Sequence, residues 1–225
     1  MRLGFAVKVL GEGGLPSHDA RRWRSGPHLR NSIDYLLAIL DYLDRHDIRM
    51  YRMATALAPY ASHPDLPQFH DQVEQCTGEL AQLGARANAL GIRVSTHPGQ
   101  YTVLNSEDER VREAAVAELE VQAQLFDAMG LGPESVVVLH VGGAAGGAVA
   151  ASDRFAAGFE RLSERARERL VIENDDRSFG LVEALEVAGR VERPLVFDIH
   201  HHHCLDRAGV PDREALELAL ATWPS

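Results

Sequence analysis

Apolar positions along the chain follow two alternating patterns. Six short runs rich in β-branched residues read as strands: LGFAV (3–7), IRMYRM (48–53), IRVSTH (92–97), SVVVLH (135–140), RLVIEN (169–174) and PLVFDI (194–199). Between them the apolar residues recur at helical spacing. The stretch 31–47 begins at Asn31, a suitable N-cap, and places Ile33, Leu36, Leu37 and Leu40 on one face. In 79–91 the stripe is Leu80, Leu83, Ala87 and Leu90, terminated by Gly91, and 107–130 starts acidic and also ends at a glycine. Strands alternating with helices, with no fixed-period repeat and no low-complexity linker, predict one parallel α/β domain. Three irregular segments, 11–28, 58–68 and 142–150, follow strands and therefore belong at the C-terminal ends of the strands, where α/β proteins carry their sites.

The polar residues at the strand ends change this picture from a fold to a chemistry. His97, His140, Glu173 and Asp198 close four successive predicted strands, and each is a side chain that binds divalent metal. Strand ends converge in a parallel barrel, so the four predict a shared metal site. Asp198 and His201 form D-x-x-H inside the run FDIHHHHC, a spacing that brings a carboxylate and an imidazole to one cluster as the chain leaves the strand. His200, His202 and His203 cannot all point the same way, so they are expected to orient neighbouring ligands or to lie in an exposed loop. His63, in ASHPD, is a further histidine on the same side. Mixed nitrogen and oxygen donors suit zinc, manganese or iron, and spacing does not select among them. Such a mouth supports metal-assisted hydrolysis, and it equally supports a sugar isomerase or epimerase.

Composition narrows the classes. With 45% hydrophobic and 25% charged residues, the 225-residue chain can bury a core without staples. No apolar run reaches membrane-spanning length, and the N-terminal apolar run is too short for a secretory signal. Cys76 and Cys204 make no motif, so a reducing, cytoplasmic setting is expected. A net charge of −10 argues against a nonspecific nucleic-acid coat, although clustered carboxylates neutralised by metal leave a nuclease open. Positive charge is local: Arg21, Arg22, Arg24 and Arg30 flank Trp23 in the first irregular segment, either as a solvated loop or as a grip on phosphates and a base.

In order along the chain, ASHP (61–64), HPGQY (97–101), LHVGG (139–143), IEND (172–175) and FDIHHH (197–202) resemble the UV damage endonuclease family, together with YRMATALAPYASHP (51–64). The likeness runs over essentially the whole chain. It implies a TIM (β/α) barrel of the endonuclease IV and xylose isomerase-like type. The implied activity is nicking of damaged double-stranded DNA on the 5′ side of UV photoproducts and other lesions. It further implies a cluster of divalent ions, manganese above all, with zinc or magnesium as alternatives, and neither an organic cofactor nor a membrane partner. Carried over by motif, the metal ligands are His63, His97, His140, Glu173, Asp198 and His201, with Glu173, His97 and His140 central to catalysis. Gln100 and Tyr101 match the family's pair that probes the lesion by entering the duplex, where weakened stacking lowers the cost of insertion. Without the family, a turn with a buried tyrosine is the simpler reading of these two residues. Arg52, near the end of the second strand, is placed either to contact a phosphate or to bridge acids inside the barrel mouth. Phe5 stands where the family commonly has a tyrosine, able to stack but not to donate a hydrogen bond.

A second departure lies after ALATWPS, where the family continues into a seventh strand bearing a lysine and a histidine. The expectation is therefore an incomplete barrel of about six βα units over residues 1–225, truncated relative to the family, with an open edge at the sixth strand. A metal-dependent sugar isomerase or epimerase, or an inactive truncated relative that binds DNA, remain the alternatives.

Overall fold

The computed structural model describes residues 2–10 and 13–224, so the first two positions of the 11–28 segment lie outside the described residues. The chain forms two compact units, one of residues 1–97 and 120–136, the other of 98–119 and 137–225. All six predicted strands are present, each shorter than its hydrophobic run.

In the first unit, β1 (Gly4–Ala6), β2 (Met50–Met53) and β3 (Arg93–Thr96) pair in parallel, with Phe5 opposite Tyr51 and Tyr51 opposite Val94. Helix α1 (Leu29–Arg45) follows β1, and α2 (Gln72–Gln75) and α3 (Thr77–Ala89) follow β2. Asn31 is not the cap of α1. His28 takes that place, its Nδ1 accepting from Arg30 N at 3.1 Å, because Asn31 is used elsewhere. The buried face of α1 carries Leu29, Ile33, Leu36, Ile39, Leu40 and Leu43, and Leu37 points to solvent. In α3 the predicted Leu80, Leu83 and Ala87 are buried, and Gly91 has the positive φ of +62° that ends the turn. Gly84 is required for another reason: a Cβ there would lie 1.7 Å from the carbonyl oxygen of Met129. The C-terminal half of α4 (Glu109–Ala128) belongs to this unit.

The loop ahead of α1 hangs on one carboxylate. Asp19, with a side chain only 2% exposed, accepts from Arg21 Nε at 2.8 Å and from its terminal nitrogen at 2.7 Å. It also accepts from Asn31 Nδ2 at 2.8 Å and His28 N at 3.0 Å, and its own amide donates to Ser32 Oγ at 2.9 Å. The Arg21 guanidinium, assisted by Asn31 and the two amides and opposed by burial, holds the Asp19 carboxyl far below the usual carboxylate range.

In the second unit, β4 (Val137–His140), β5 (Leu170–Glu173) and β6 (Leu195–Val196) are again parallel. Helices α5 (Ala148–Phe159) and α6 (Glu164–Arg169) join β4 to β5, and α7 (Leu181–Arg190) joins β5 to β6. Two helices, α8 (Ile199–Cys204) and α9 (Asp212–Leu220), follow β6. The predicted sixth strand is cut to two residues because the chain turns into α8 at once. Among the described residues β6 pairs with β5 alone and is an edge strand, as expected, but the edge is capped at Leu195. Its N–H and C=O face away from β5, yet the amide donates to Thr222 Oγ1 at 2.8 Å and the carbonyl accepts from Trp223 Nε1 at 2.7 Å. Two side chains thus occupy the positions a neighbouring strand would take. Among the described residues no helix is long and apolar enough to cross a membrane.

Two stability predictions follow from these ties. Trp223→Phe leaves the carbonyl of fully buried Leu195 without its donor, and the urea midpoint should fall by the equivalent of about 1–2 kcal/mol at unchanged slope. An unaltered midpoint would refute the edge cap. For Asp19, whose folded value is depressed, the stabilisation is complete above the unfolded value of about 4 and is lost as pH falls towards the folded value. Wild type should therefore lose its advantage over Asp19→Asn, about 2 kcal/mol at neutral pH, when urea titrations are repeated below about pH 4.

Candidate metal centre

Backbone register in the second unit brings the first two candidate ligands side by side. His140 is the last residue of β4 and pairs with Glu173, the last residue of β5. In parallel neighbours paired positions present their side chains to the same face, and His140 Nε2 lies 3.4 Å from Glu173 Oε2. Glu173 is 2% exposed at its side chain, so its charge sits largely out of water.

The next two ligands are delivered by a different device. β6 stops at Val196, and beyond it the side chain of Asn174 continues the pairing that the backbone no longer makes. Asn174 Oδ1 accepts from Asp198 N at 2.8 Å, and Nδ2 donates to Asp198 O at 2.9 Å. Asp198 is thereby held as the N-cap of α8, where its Oδ1 accepts from His201 N at 2.9 Å. The carbonyl of Asn174 completes the arrangement by accepting from His201 Nδ1 at 2.9 Å. Since a carbonyl only accepts, Nδ1 is the donor, which leaves Nε2 as the ring nitrogen available to a metal. One ligand atom each from Glu173, Asp198 and His201 lie within 4.8 Å of one another. The His140 ring stands 5.1 Å from the His201 ring, centroid to centroid. Two imidazoles and two carboxylates so gathered fit a divalent ion with mixed nitrogen and oxygen donors, and a cation relieves the repulsion between the two acids.

The histidine run is helical, and the expectation that Asp198 closes the sixth strand is corrected. Asp198 lies two residues past β6 and starts α8. Of the neighbours expected to orient ligands or form a loop, His202 is buried against Phe197, with Nε2 donating to Val210 O at 2.7 Å. His203 pairs with Asp212 at 2.9 Å near the start of α9, and His200 is exposed.

A cavity of about 360 Å³ adjoins His140, lined among others by Gln100, Val103, Gly142, Asp175 and Arg177. Its walls are shaped by polar anchors. Asp175 accepts from Arg177 N, Ser178 N and Phe179 N at 2.7, 2.6 and 3.1 Å, and Asn105 Nδ2 donates to Gly143 O at 2.8 Å. Gly142, at φ +104°, leaves no room for a Cβ, which would meet Asn105 Oδ1 at 2.4 Å. Gln100 and Tyr101 sit on the turn closed by Thr102 N donating to Gly99 O. Tyr101 is 81% exposed, so the buried-tyrosine reading of this turn fails.

The remaining candidates stand in the first unit. His97 is half-buried and directly follows β3. His63 is exposed, and its Nδ1 accepts from Asp65 N at 3.2 Å, the reverse of the arrangement at His201. Arg52 is half-buried in β2, and Phe5 packs edge-on against Tyr51 and Tyr42 at 5.6 and 6.3 Å. Asn174 is the site residue that sequence reasoning missed. Its position directly after Glu173 was the available signal.

Comparison with known proteins gives three findings. A family model described as UV-endonuclease UvdE matches residues 28–225. The UV DNA damage endonuclease of Bacillus cereus (strain B4264) is 29% identical over 195 residues, 87% of this chain and 61% of that protein. The chain thus spans about three-fifths of that curated relative. The crystal structure of SacUVDE superposes with a TM-score of 0.89 at 30% identity, over 99% of this chain and 77% of that one. A D-psicose 3-epimerase crystallised with D-fructose matches at a TM-score of 0.58 and 15% identity, over 96% of this chain and 70% of that one, and so shares only the α/β fold of TIM-barrel type.

The Asn174 bridge predicts a measurable coupling. Asn174→Ala should weaken Mn²⁺ binding roughly 10- to 100-fold in calorimetric titration, the range typical when a partner of a ligand is removed. Equal affinity in variant and wild type would discard the bridge as a determinant of the centre.

Proposed function

The chain belongs to the UV-endonuclease UvdE family, and from that premise we propose that it is a metal-dependent endonuclease that hydrolyses a phosphodiester of damaged DNA on the 5′ side of UV photoproducts and other lesions. The observation that supports this best is the convergence of His140, Glu173, Asp198 and His201 in one unit, beside a cavity that carries Gln100 on its wall. Manganese is the expected ion. When bound, a divalent ion polarises a phosphoryl oxygen and makes water acidic enough to serve as nucleophile near neutral pH.

The protein's own contribution is to hold donors in place before substrate arrives. His201, with its Nδ1 proton committed to Asn174, presents Nε2, and Glu173 and Asp198 present carboxylate oxygens. His140 adds a second imidazole at the cavity wall. His97 joins the ligand set on the strand-end pattern of the sequence and on the resemblance, and His63 on the resemblance. Tyr101, exposed at a turn tip, offers a flat apolar ring to a weakened base step, and the Gln100 amide can meet base edges. Arg52, by its place near the end of the second predicted strand, serves as a phosphate contact, and Phe5 as a stacking residue.

The decisive measurement is nicking of UV-irradiated plasmid in Mn²⁺, with unirradiated plasmid as control. Damage-dependent nicks are expected in wild type, abolished by EDTA and restored by Mn²⁺. Glu173→Gln and His97→Ala should each reduce incision to the level of the metal-free protein while retaining DNA binding. Undiminished nicking in both variants, or none by wild type with metal supplied, would overturn the proposal.

A further inference from the structure

The loop ahead of α1 contains an exposed cationic and aromatic tip that the metal centre does not use. It lies before residue 28, where the family match begins. The arginines around Trp23 differ sharply in what they have left to bind. Arg21 is spent as a brace, bidentate on Asp19 and also donating to Ser25 O and Gly26 O at 3.3 and 3.2 Å. Arg30 is paired with Glu79 at 2.9 Å. Among the described residues, Arg22 and Arg24 form no ion pair with a carboxylate, and both are exposed. Trp23 is 43% exposed between them, with the Arg24 guanidinium 5.1 Å from the centre of its ring.

The tip is held rather than floppy. Trp23–Ser25 is a single 3-10 turn, closed by Ser25 N to Arg22 O at 2.8 Å and Gly26 N to Trp23 O at 3.1 Å. Its base is clamped by the Asp19 contacts to His28 N and Asn31. A braced turn leaves the indole 43% exposed, and two guanidiniums without a carboxylate partner stand out in a chain of net charge −10. The partner that answers both features is a polyanion with flat apolar faces at regular intervals.

We propose that the Arg22–Trp23–Arg24 tip is a DNA contact of its own, its two guanidiniums taking neighbouring backbone phosphates and its indole stacking on a base. This rests on the reading that the chain acts on DNA. Guanidinium forks match phosphate oxygens bidentately, and the pre-braced turn lowers the ordering cost of binding. Trp23 would act where stacking in the duplex is already weakened.

The test is an anisotropy titration of a labelled, UV-irradiated duplex with the full chain in EDTA, repeated across salt concentrations, with a circular-dichroism melt to verify folding of each variant. Arg22→Ala/Arg24→Ala should lower the steepness of log K against log salt by about 2, near 0.9 per lost phosphate contact. Trp23→Ala should weaken binding on the order of tenfold with the salt slope unchanged, and Trp23→Phe should retain most of the affinity. Duplex should quench tryptophan fluorescence in wild type and far less in Trp23→Phe. Folded variants with wild-type slope, affinity and quench, while irradiated plasmid is still nicked, would overturn this inference and leave the proposed function standing. Absence of both duplex binding and nicking in wild type would overturn the two together.

Discussion

One asparagine carries the geometry on which the gathering of His201, Asp198 and Glu173 depends. β6 is too short to position anything by backbone pairing beyond Val196, and the two ligands past its end need a fixed place. Asn174, fully buried after β5, supplies it three times over: an acceptor and a donor for the backbone of Asp198, and a main-chain carbonyl for the His201 ring. The side-chain amide imitates a peptide group, so the ladder is prolonged without a strand. The cost of burying the amide is offset because its donor and acceptor are both used. Everything downstream, the cap of α8, the tautomer of His201 and the approach of Asp198 to Glu173, follows from that substitution.

The strands and the chemistry at their ends were legible because both depend on local pattern. β-branched runs bounded by helical stretches specify strands, and His140 and Glu173 are the terminal residues of theirs. The run at 194–199 misled for a physical reason. Its hydrophobicity is that of a strand, but Asp198 can satisfy the amide of His201, and that hydrogen bond starts a helix sooner than apolar pattern alone suggests. Asn31 misled in the same way. It is a good cap by type, yet Asp19, twelve residues earlier and distant in pattern, recruits its amide, and His28 caps instead. Leu37 was placed in the core by spacing and is exposed because the buried stripe of α1 runs through Ile39 and Leu43. Side-chain-to-backbone ties across long separations leave no periodic signal, which is why the roles of Asn174, Asp19 and Trp223 do not follow from hydrophobic pattern.

The polar anchors divide into two kinds by what they do with charge. Asp19 is buried and meets Arg21, so its charge is balanced within the loop and serves rigidity. Glu173 and Asp198 each bring a carboxylate oxygen to within 4.8 Å of the other and of a His201 ring nitrogen, with no arginine among the three. A carboxylate with its own arginine is a structural pin. A pair of carboxylates gathered with histidines is a candidate for a cation. The number of acids is a poor guide, and the cation within reach of each one is the better one.

The two side chains on Leu195 also set a rule for encounters between molecules. A strand that sought to pair at this point would find both backbone groups already engaged by Thr222 and Trp223. Joining would require exchange, with two bonds given up before any new one forms, so chance sticking between copies meets a barrier there. An intended neighbour, arriving with its own apolar face to bury, could still win the exchange. The edge therefore behaves as a lock with a seated key, closed to weak strands and open to a better fit.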